Sequence, residues 1–308
     1  MPTSSPLYRA DALVSFASTL LQRAGMGAAQ ADCVANTLVQ GDLLGHDTHG
    51  LQLLASYTKE LETGSMKGQG APLLVSDRPA ALLWDGQRLP GPWLMHQALD
   101  TLTPRARELG TASLVIRRSH HIACLAVYLM RALQDNLLML IACSDANSAS
   151  VAPFGGTQAV FTPNGMTNRK HKAGERYEHD VFIDAKGVPT NDPGVLFQQP
   201  PGTLLPVGGL SHGHKGFGLS LLVESLTAGM AGHGRADPKE GWGATVHITV
   251  YDLNAFGGTQ DFLRQMDHVA DRCRQNIPID PQRPVRMPGE KGLRLRHEQT
   301  AHGVRLHD

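Results

Sequence analysis

The chain has 308 residues, more than one hydrophobic core usually holds, so two domains or one domain with a large insertion are expected. Its 28 Lys and Arg balance 28 Asp and Glu, which argues against a broad nucleic-acid surface or an acidic solvating tail. With 41% hydrophobic and 18% charged residues the composition is that of an ordered globular chain, and its longest apolar runs, such as Leu137–Cys143, are too short to cross a bilayer.

The first third reads helical. Leu13, Phe16, Ala17, Leu20 and Leu21 share one helical face that Gly25 stops. A second helix covers Ala28 to Leu44, and a third starts near Thr48, with Leu51, Leu54, Thr58 and Leu61 on one stripe before Gly64. Residues 65–80, rich in Gly, Pro and Ser, mark a boundary. Strands and helices then alternate: a strand at Ala81–Trp84, a helix at Trp93–Leu109 that Pro104 should kink, and a strand at Ala112–Ile116. A helix at Ala123–Leu133 and strands at Leu137–Cys143 and Gln158–Thr162 follow. Beyond a polar stretch at 163–202, a glycine loop at Gly208–Gly218 precedes a helix with Leu219, Leu222, Val223, Leu226 and Met230 at core spacing. Val246, Ile248 and Val250 alternate as a half-buried strand, and Phe262, Met266, Val269 and Cys273 mark a last long helix. The alternation predicts an α/β (α+β) body with a helical N-terminal layer.

The four cysteines, Cys33, Cys124, Cys143 and Cys273, form no CxxC pair and sit in apolar stretches. They read as free thiols in a reducing cytoplasm, and no basic-then-apolar leader opens the chain.

Three segments carry candidate chemistry. Gly45-His46-Asp47-Thr48-His49-Gly50 joins two predicted helices. Asp47 or Thr48 as cap would put His49 in a first helical turn, where positive charge is disfavoured, fitting either a general acid or a surface histidine beside a cap. Arg117-Arg118-Ser119-His120-His121 follows a predicted strand, a place for an anion and a proton donor, or simply a solvated strand end. Ser211-His212-Gly213-His214-Lys215-Gly216-Phe217-Gly218 suits an unnamed anion, although neither GxxxxGK[ST] nor a GxGxxG after a strand is present. His46, Asp47 and His49 lack the further ligands a metal needs, so no metal is expected, and Glu224 reads as a paired structural carboxylate.

In order along nearly the whole chain, these segments resemble the type-2 malate/L-lactate dehydrogenase family, which includes sulfolactate, ureidoglycolate, diketogulonate and cyclic-imine enzymes. The resemblance runs from Gly41–Gly50 through Arg117–His121, Asn147-Ser148 and Val151-Ala152-Pro153-Phe154-Gly155-Gly156 to Gly187-Val188-Pro189-Thr190. It continues through Leu204–Gly209 and His214–Leu219 to Pro288-Gly289-Glu290. It implies a homodimeric NAD- or NADP-dependent oxidoreductase of 2-oxo and 2-hydroxy acids, or alternatively a cyclic-imine reductase, with a cofactor domain that is not a Rossmann fold. Residues 1–72, joined by part of 258–308, would form the helical domain, and 73–257 the cofactor-binding domain. The resemblance implies His49 and His121 as catalytic residues and Thr48, Tyr57, Arg117 and Arg118 at the substrate. It assigns His121, Ser148, Pro153, Gly155, Gly156, His214, Lys215, Gly216, Gly289 and Glu290 to the cofactor.

Two departures stand out. Leu53 replaces an arginine that family members often use for the substrate carboxylate, which points to a different or bulkier 2-oxo acid, with Arg117 or Arg118 as the replacement cation. Family members also carry a hairpin-sized segment between Asn164 and Gly165, adjacent here; its loss would leave ladder groups unpaired, so a segment missing at the 164/165 junction is expected. The rival readings are a metal-dependent hydrolase and a dimeric binding protein that has lost catalysis.

Overall fold

The computed structural model describes residues 6–145, 149–161 and 166–306. In chain order, β1 (Leu7–Tyr8), α1 (Ala10–Arg23), α2 (Ala28–Leu43), α3 (Leu54–Glu62), β2 (Leu73–Arg78), β3 (Ala81–Asp85), α4 (Gly91–Leu109), β4 (Thr111–Ser119), α5 (Leu125–Gln134) and β5 (Leu137–Ser144) come first. Then follow α6 (Met166–Lys172), β6 (Phe182–Ile183), β7 (Pro189–Thr190), β8 (Thr203–Leu204), α7 (Gly209–Glu224), β9 (Ala244–Asp252), α8 (Thr259–Arg274), α9 (Glu290–His302) and β10 (Val304–Arg305).

The main sheet runs β2-β3-β4-β9-β5, and among its pairings only β3 with β4 is parallel. β9 arrives from far along the chain and inserts between β4 and β5. The alternating Val246, Ile248 and Val250 face α4, joining Leu99, Leu102, Leu114 and Ile116 in one core. Thr245, His247 and Thr249 are buried as well, because a π-helical turn at Ser225–Gly229 covers the opposite face. The strand expected to be half-buried is therefore enclosed on both sides, as a central strand must be.

A second core joins α1, α2 and α3 through Leu21, Leu38, Tyr57 and Met66, each side chain contributing roughly 1.5–3 kcal/mol by its burial. Val304 of β10 packs with Leu13, Val39 and Leu43, and β1 pairs antiparallel with β10, Leu7 opposite Arg305. The Gln299 Nε2 of α9 donates to the carbonyls of Asp42 (2.9 Å) and Leu43 (3.2 Å), which caps the end of α2.

Several elements differ from expectation for identifiable reasons. The third helix begins only at Leu54; ahead of it lie two 3₁₀ turns, Asp47–His49 and Leu51–Leu53, separated by Gly50. α4 runs through Pro104, whose ring lies on the exposed side while Leu102 and Ala106 hold the other face in the core. β2 occupies part of the stretch read as a boundary. Gln158–Thr162 supplies only a bridge at Phe161 among its described residues. The glycine loop at Gly208–Gly218 is mostly the first half of α7, because Gly213 and Gly216 let the helix press onto Phe154 and the Val207 backbone, where a Cβ would sit 2.7 Å and 2.3 Å away. Phe16 is exposed, as are Leu219, Leu222 and Met230, and no residue of α8 is buried. Helical spacing marks an apolar stripe, but not what covers it.

Candidate active site

Three stretches of chain meet at His121. The last residue of β4, Ser119, is followed by His120 and His121, and α4 begins directly behind them. Gly91 makes that approach possible: a Cβ there would stand 2.3 Å from the His121 carbonyl and 2.6 Å from that of His120. Tyr57 reaches in from α3, wholly buried, with its hydroxyl 2.9 Å from His121 Nδ1 and 3.2 Å from the His121 carbonyl. The backbone N–H of Ala123 also donates to Nδ1, at 3.3 Å. A backbone N–H can only donate, so Nδ1 accepts and the neutral ring carries its proton on Nε2.

His121 is the middle of a stack. His49 stacks on it with ring centroids 5.7 Å apart and planes 29° from parallel, and Trp242 with centroids 4.6 Å apart and planes 28° from parallel. Burial, with help from the charges of His49 and His120, pushes the His121 ring down to about 3, so it is neutral in ordinary buffers. His120, fully enclosed, is likewise driven to about 3 by burial and by Arg88; its Nε2 lies 3.3 Å from Glu60 Oε2.

His49 sits in the first 3₁₀ turn, its Nδ1 3.0 Å from Thr48 Oγ1. Its pKa is lowered as the spacing implied, but the cause differs: burial acts first and the charge of His46 second, while Asp47 opposes them. Neither Asp47 nor Thr48 caps a helix over it. Beneath the turn lies Asp42, whose Oδ2 accepts from the Leu51 N–H at 2.8 Å, and whose carboxyl is pushed up to about 7 by burial.

Arg117 and Arg118 turn away from this group onto Asp85. Arg117 Nε is 3.2 Å from Asp85 Oδ2 and Arg118 Nη2 is 2.8 Å from it, while Asp85 is only 2% exposed. Burial alone would raise the Asp85 carboxyl, but the bonds from Arg118 and from the Gln87 N–H outweigh it and hold the group below the usual range. A bulge between Ile116 and Ser119, with Arg118 at φ 52, reorients this strand end. Leu53 packs at the edge of the helical core.

The expected cofactor residues fall into two further groups. His214 and Lys215 are exposed on α7, with His214 edge-on to Phe154 beside Pro153, Gly155 and Gly156. Gly216 is buried against Val207. Gly289 precedes α9, and Glu290 accepts from Arg274 Nε at 2.7 Å and from the Met287 N–H at 2.9 Å. Ser148 and the 164/165 junction lie outside the described residues. Glu224 is paired: Ser144 Oγ and Arg235 Nη2 both donate to its Oε1 at 2.7 Å. Among the described residues no group of three or more His, Cys, Asp or Glu side chains could hold a metal ion, and no helix is long and apolar enough to cross a membrane.

Reading the sequence missed Trp242, Glu60, Asp85 and Asp42. Trp242 had one signal, the flanking Gly241 and Gly243, which let the backbone come close; a Cβ on Gly243 would stand 2.8 Å from the Ser119 carbonyl. The carboxylates had none: the partners of Glu60 and Asp85 lie far off in sequence, and Asp42 bonds a backbone N–H that no side-chain pattern marks.

A mixed α/β body that buries paired histidines beside a tyrosine defines a candidate acid–base enzyme, and comparison with known proteins narrows the class. The family model described as malate/L-lactate dehydrogenase matches residues 8–168 and 162–308, two stretches that overlap at 162–168. The chain is 25% identical to hydroxycarboxylate dehydrogenase B of Escherichia coli O157:H7 over 330 residues, covering 97% of this chain and 90% of the relative. It is 31% identical to an L-lactate dehydrogenase of Cupriavidus necator over 235 residues, 68% of this chain and 66% of that one. A malate dehydrogenase from Entamoeba histolytica shares the fold with a TM-score of 0.90 at 20% identity, over 99% of this chain and 94% of that one. The chain belongs to the malate/L-lactate dehydrogenase family, and with it to the oxidoreductases of 2-hydroxy and 2-oxo acids.

Proposed function

We propose that the chain moves a hydride between a nicotinamide cofactor, NAD or NADP, and C2 of a 2-oxo or 2-hydroxy acid, with His49 and His121 in distinct roles. The observation that carries this reading is the His49–His121–Trp242 stack, in which Tyr57 and Ala123 fix the tautomer of the middle ring. His121 stays neutral and presents Nε2–H, a donor that polarises an oxygen without giving up its proton. His49, less deeply held, is the ring that can carry a proton, delivering it to the alkoxide formed at C2 or taking it back in the reverse direction.

The residues around α7 fit the phosphates of a dinucleotide. Lys215, His212 and His214 are exposed on its first turns, and Gly208 at φ 99 caps it without a side chain over the leading N–H groups. With its phosphates held there, the dinucleotide would supply or accept the hydride through its nicotinamide. The Gly289–Glu290 turn is the second expected contact.

With Arg117 and Arg118 committed to Asp85 and Leu53 in place of a cation, we infer a 2-oxo acid other than pyruvate or oxaloacetate. Exposed Leu138, Leu140, Leu219, Leu222, Met230 and Met266 support a homodimer that covers them, which sedimentation can check. The deciding experiment is titration with NADH and NADPH by fluorescence, followed by turnover with a panel of 2-oxo acids. Dinucleotide binding with His121→Ala slowed by orders of magnitude is expected; no binding, or unchanged turnover, refutes the reading.

A further inference from the structure

Asp42 is conspicuous because a carboxylate only 7% exposed, in the last turn of α2, has no cation bonded to it among the described residues. Its closest contacts are at the joint between the turn that carries His49 and the turn that follows. Oδ2 accepts from the Leu51 N–H at 2.8 Å, and Oδ1 lies so close to Gly50 that a Cβ there would be 2.0 Å away. Just before it, Gly41 lies under His49 itself, where a Cβ would stand 3.0 Å from the His49 carbonyl. The main chain is held from the other side, since Gln299 Nε2 donates to the Asp42 carbonyl at 2.9 Å and the Gly45 N–H donates to the same oxygen. The carboxylate therefore sits in the joint between the two 3₁₀ turns and supplies the acceptor that Leu51 would otherwise lack.

Resting on the proposed function above, we propose that Asp42 is the positioning residue for His49: the length and shape of its side chain set where the His49 turn stands relative to His121. Its role is geometric, and its charge is secondary. A carboxyl pushed up to about 7 by burial is a group whose surroundings do not require it ionised, which agrees with a role as spacer and acceptor. A catalytic group misplaced by about 1 Å can lose on the order of 100-fold in rate.

Two conservative variants separate shape from charge. Asp42→Asn keeps the length and an oxygen for the Leu51 N–H but removes the charge. Asp42→Glu keeps the charge and adds a methylene where Gly50 leaves no room. Turnover is measured per dinucleotide-binding site, titrated by NAD(P)H fluorescence, with kcat and KM determined separately. Asp42→Asn should stay within about fivefold of wild type, whereas Asp42→Glu should lose about 100-fold in kcat with NAD(P)H affinity unchanged. Gly50→Ala, whose methyl would push the carboxylate off Leu51, should match Asp42→Glu and serves if the latter does not fold. Wild-type kcat in Asp42→Glu or in Gly50→Ala overturns the proposal, and so does an Asp42→Asn as slow as Asp42→Glu. A wild-type protein that binds no dinucleotide and reduces no 2-oxo acid refutes instead the functional reading beneath it.

Discussion

Tyr57→Phe isolates one hydroxyl at the centre of the site. The ring is wholly buried and would stay in place, so the change removes only the contacts at 2.9 Å to His121 Nδ1 and 3.2 Å to its carbonyl. Nδ1 would keep the Ala123 N–H at 3.3 Å, so the buried nitrogen is weakened in partners but not stripped of them. That sets the loss near one buried hydrogen bond, about 1–2 kcal/mol. If the whole loss appears as misorientation of His121, turnover falls by about 5- to 30-fold, at about 1.4 kcal/mol per factor of ten. Urea unfolding followed by tryptophan fluorescence reads the stability, and saturating kcat with the best 2-oxo acid reads the orientation. A variant with wild-type kcat and less than about 0.5 kcal/mol lost would show that Tyr57 does not hold the ring, and the tautomer argument would rest on Ala123 alone.

Stability should depend on pH through buried groups of opposite sign. His120 and His121, each depressed to about 3, bind fewer protons folded than unfolded, so their stabilisation is complete above about pH 6.5 and is lost as pH falls towards 3. Asp42, raised to about 7, has the opposite sign between about pH 4 and 7, so the slope is the excess of the lowered histidines, His49, His96 and His247 among them, over this one carboxyl. His120→Gln should flatten the slope measured by urea unfolding at pH 4.5–6, and an unchanged slope would contradict the burial argument. The reduction rate should lose its acid-requiring limb below the ordinary histidine value, since burial lowers His49; a limb above 6.5 in kcat would remove His49 as the proton carrier. Asp85→Ala leaves Arg117 and Arg118 facing each other without their carboxylate and should cost about 2–3 kcal/mol in unfolding experiments, with KM for the 2-oxo acid little changed. A large KM increase with stability intact would return those arginines to the substrate. Gly91→Ala forces a methyl onto two backbone carbonyls that cannot swing aside, so about 1–3 kcal/mol and most activity should be lost.

Much of the framework could be read from residue order. Leu13, Ala17 and Leu21, and then Val246, Ile248 and Val250, repeat at the periods their elements require, and both sets are buried. His49 and His121, picked out by their motifs, lie with ring centroids 5.7 Å apart, and Tyr57 meets His121 through its buried hydroxyl. What stayed hidden depends on distant partners. Nothing local to Arg117 or Arg118 reveals Asp85, some thirty residues earlier, and both look like free cations until the bulge turns them. The break of the third helix was equally invisible, because its cause is the Asp42 side chain taking the Leu51 N–H from outside the segment. Leu219, Leu222 and Met230 show the converse failure: their spacing is that of a core, and nothing among the described residues buries them.

The bonds from Gln299 to the end of α2, with the pairing of β1 and β10, have a consequence for how the protein is made. The turn that bears His49 emerges early from the ribosome, yet the helix that braces it lies some 250 residues downstream. A nascent chain can assemble α1, α2 and α3, but their open flank must wait for residues 290–305, and contacts this far apart in sequence form slowly. Activity should therefore appear only after synthesis is complete, and chains that stall before α9 should carry an unfinished catalytic turn however well the central sheet has formed.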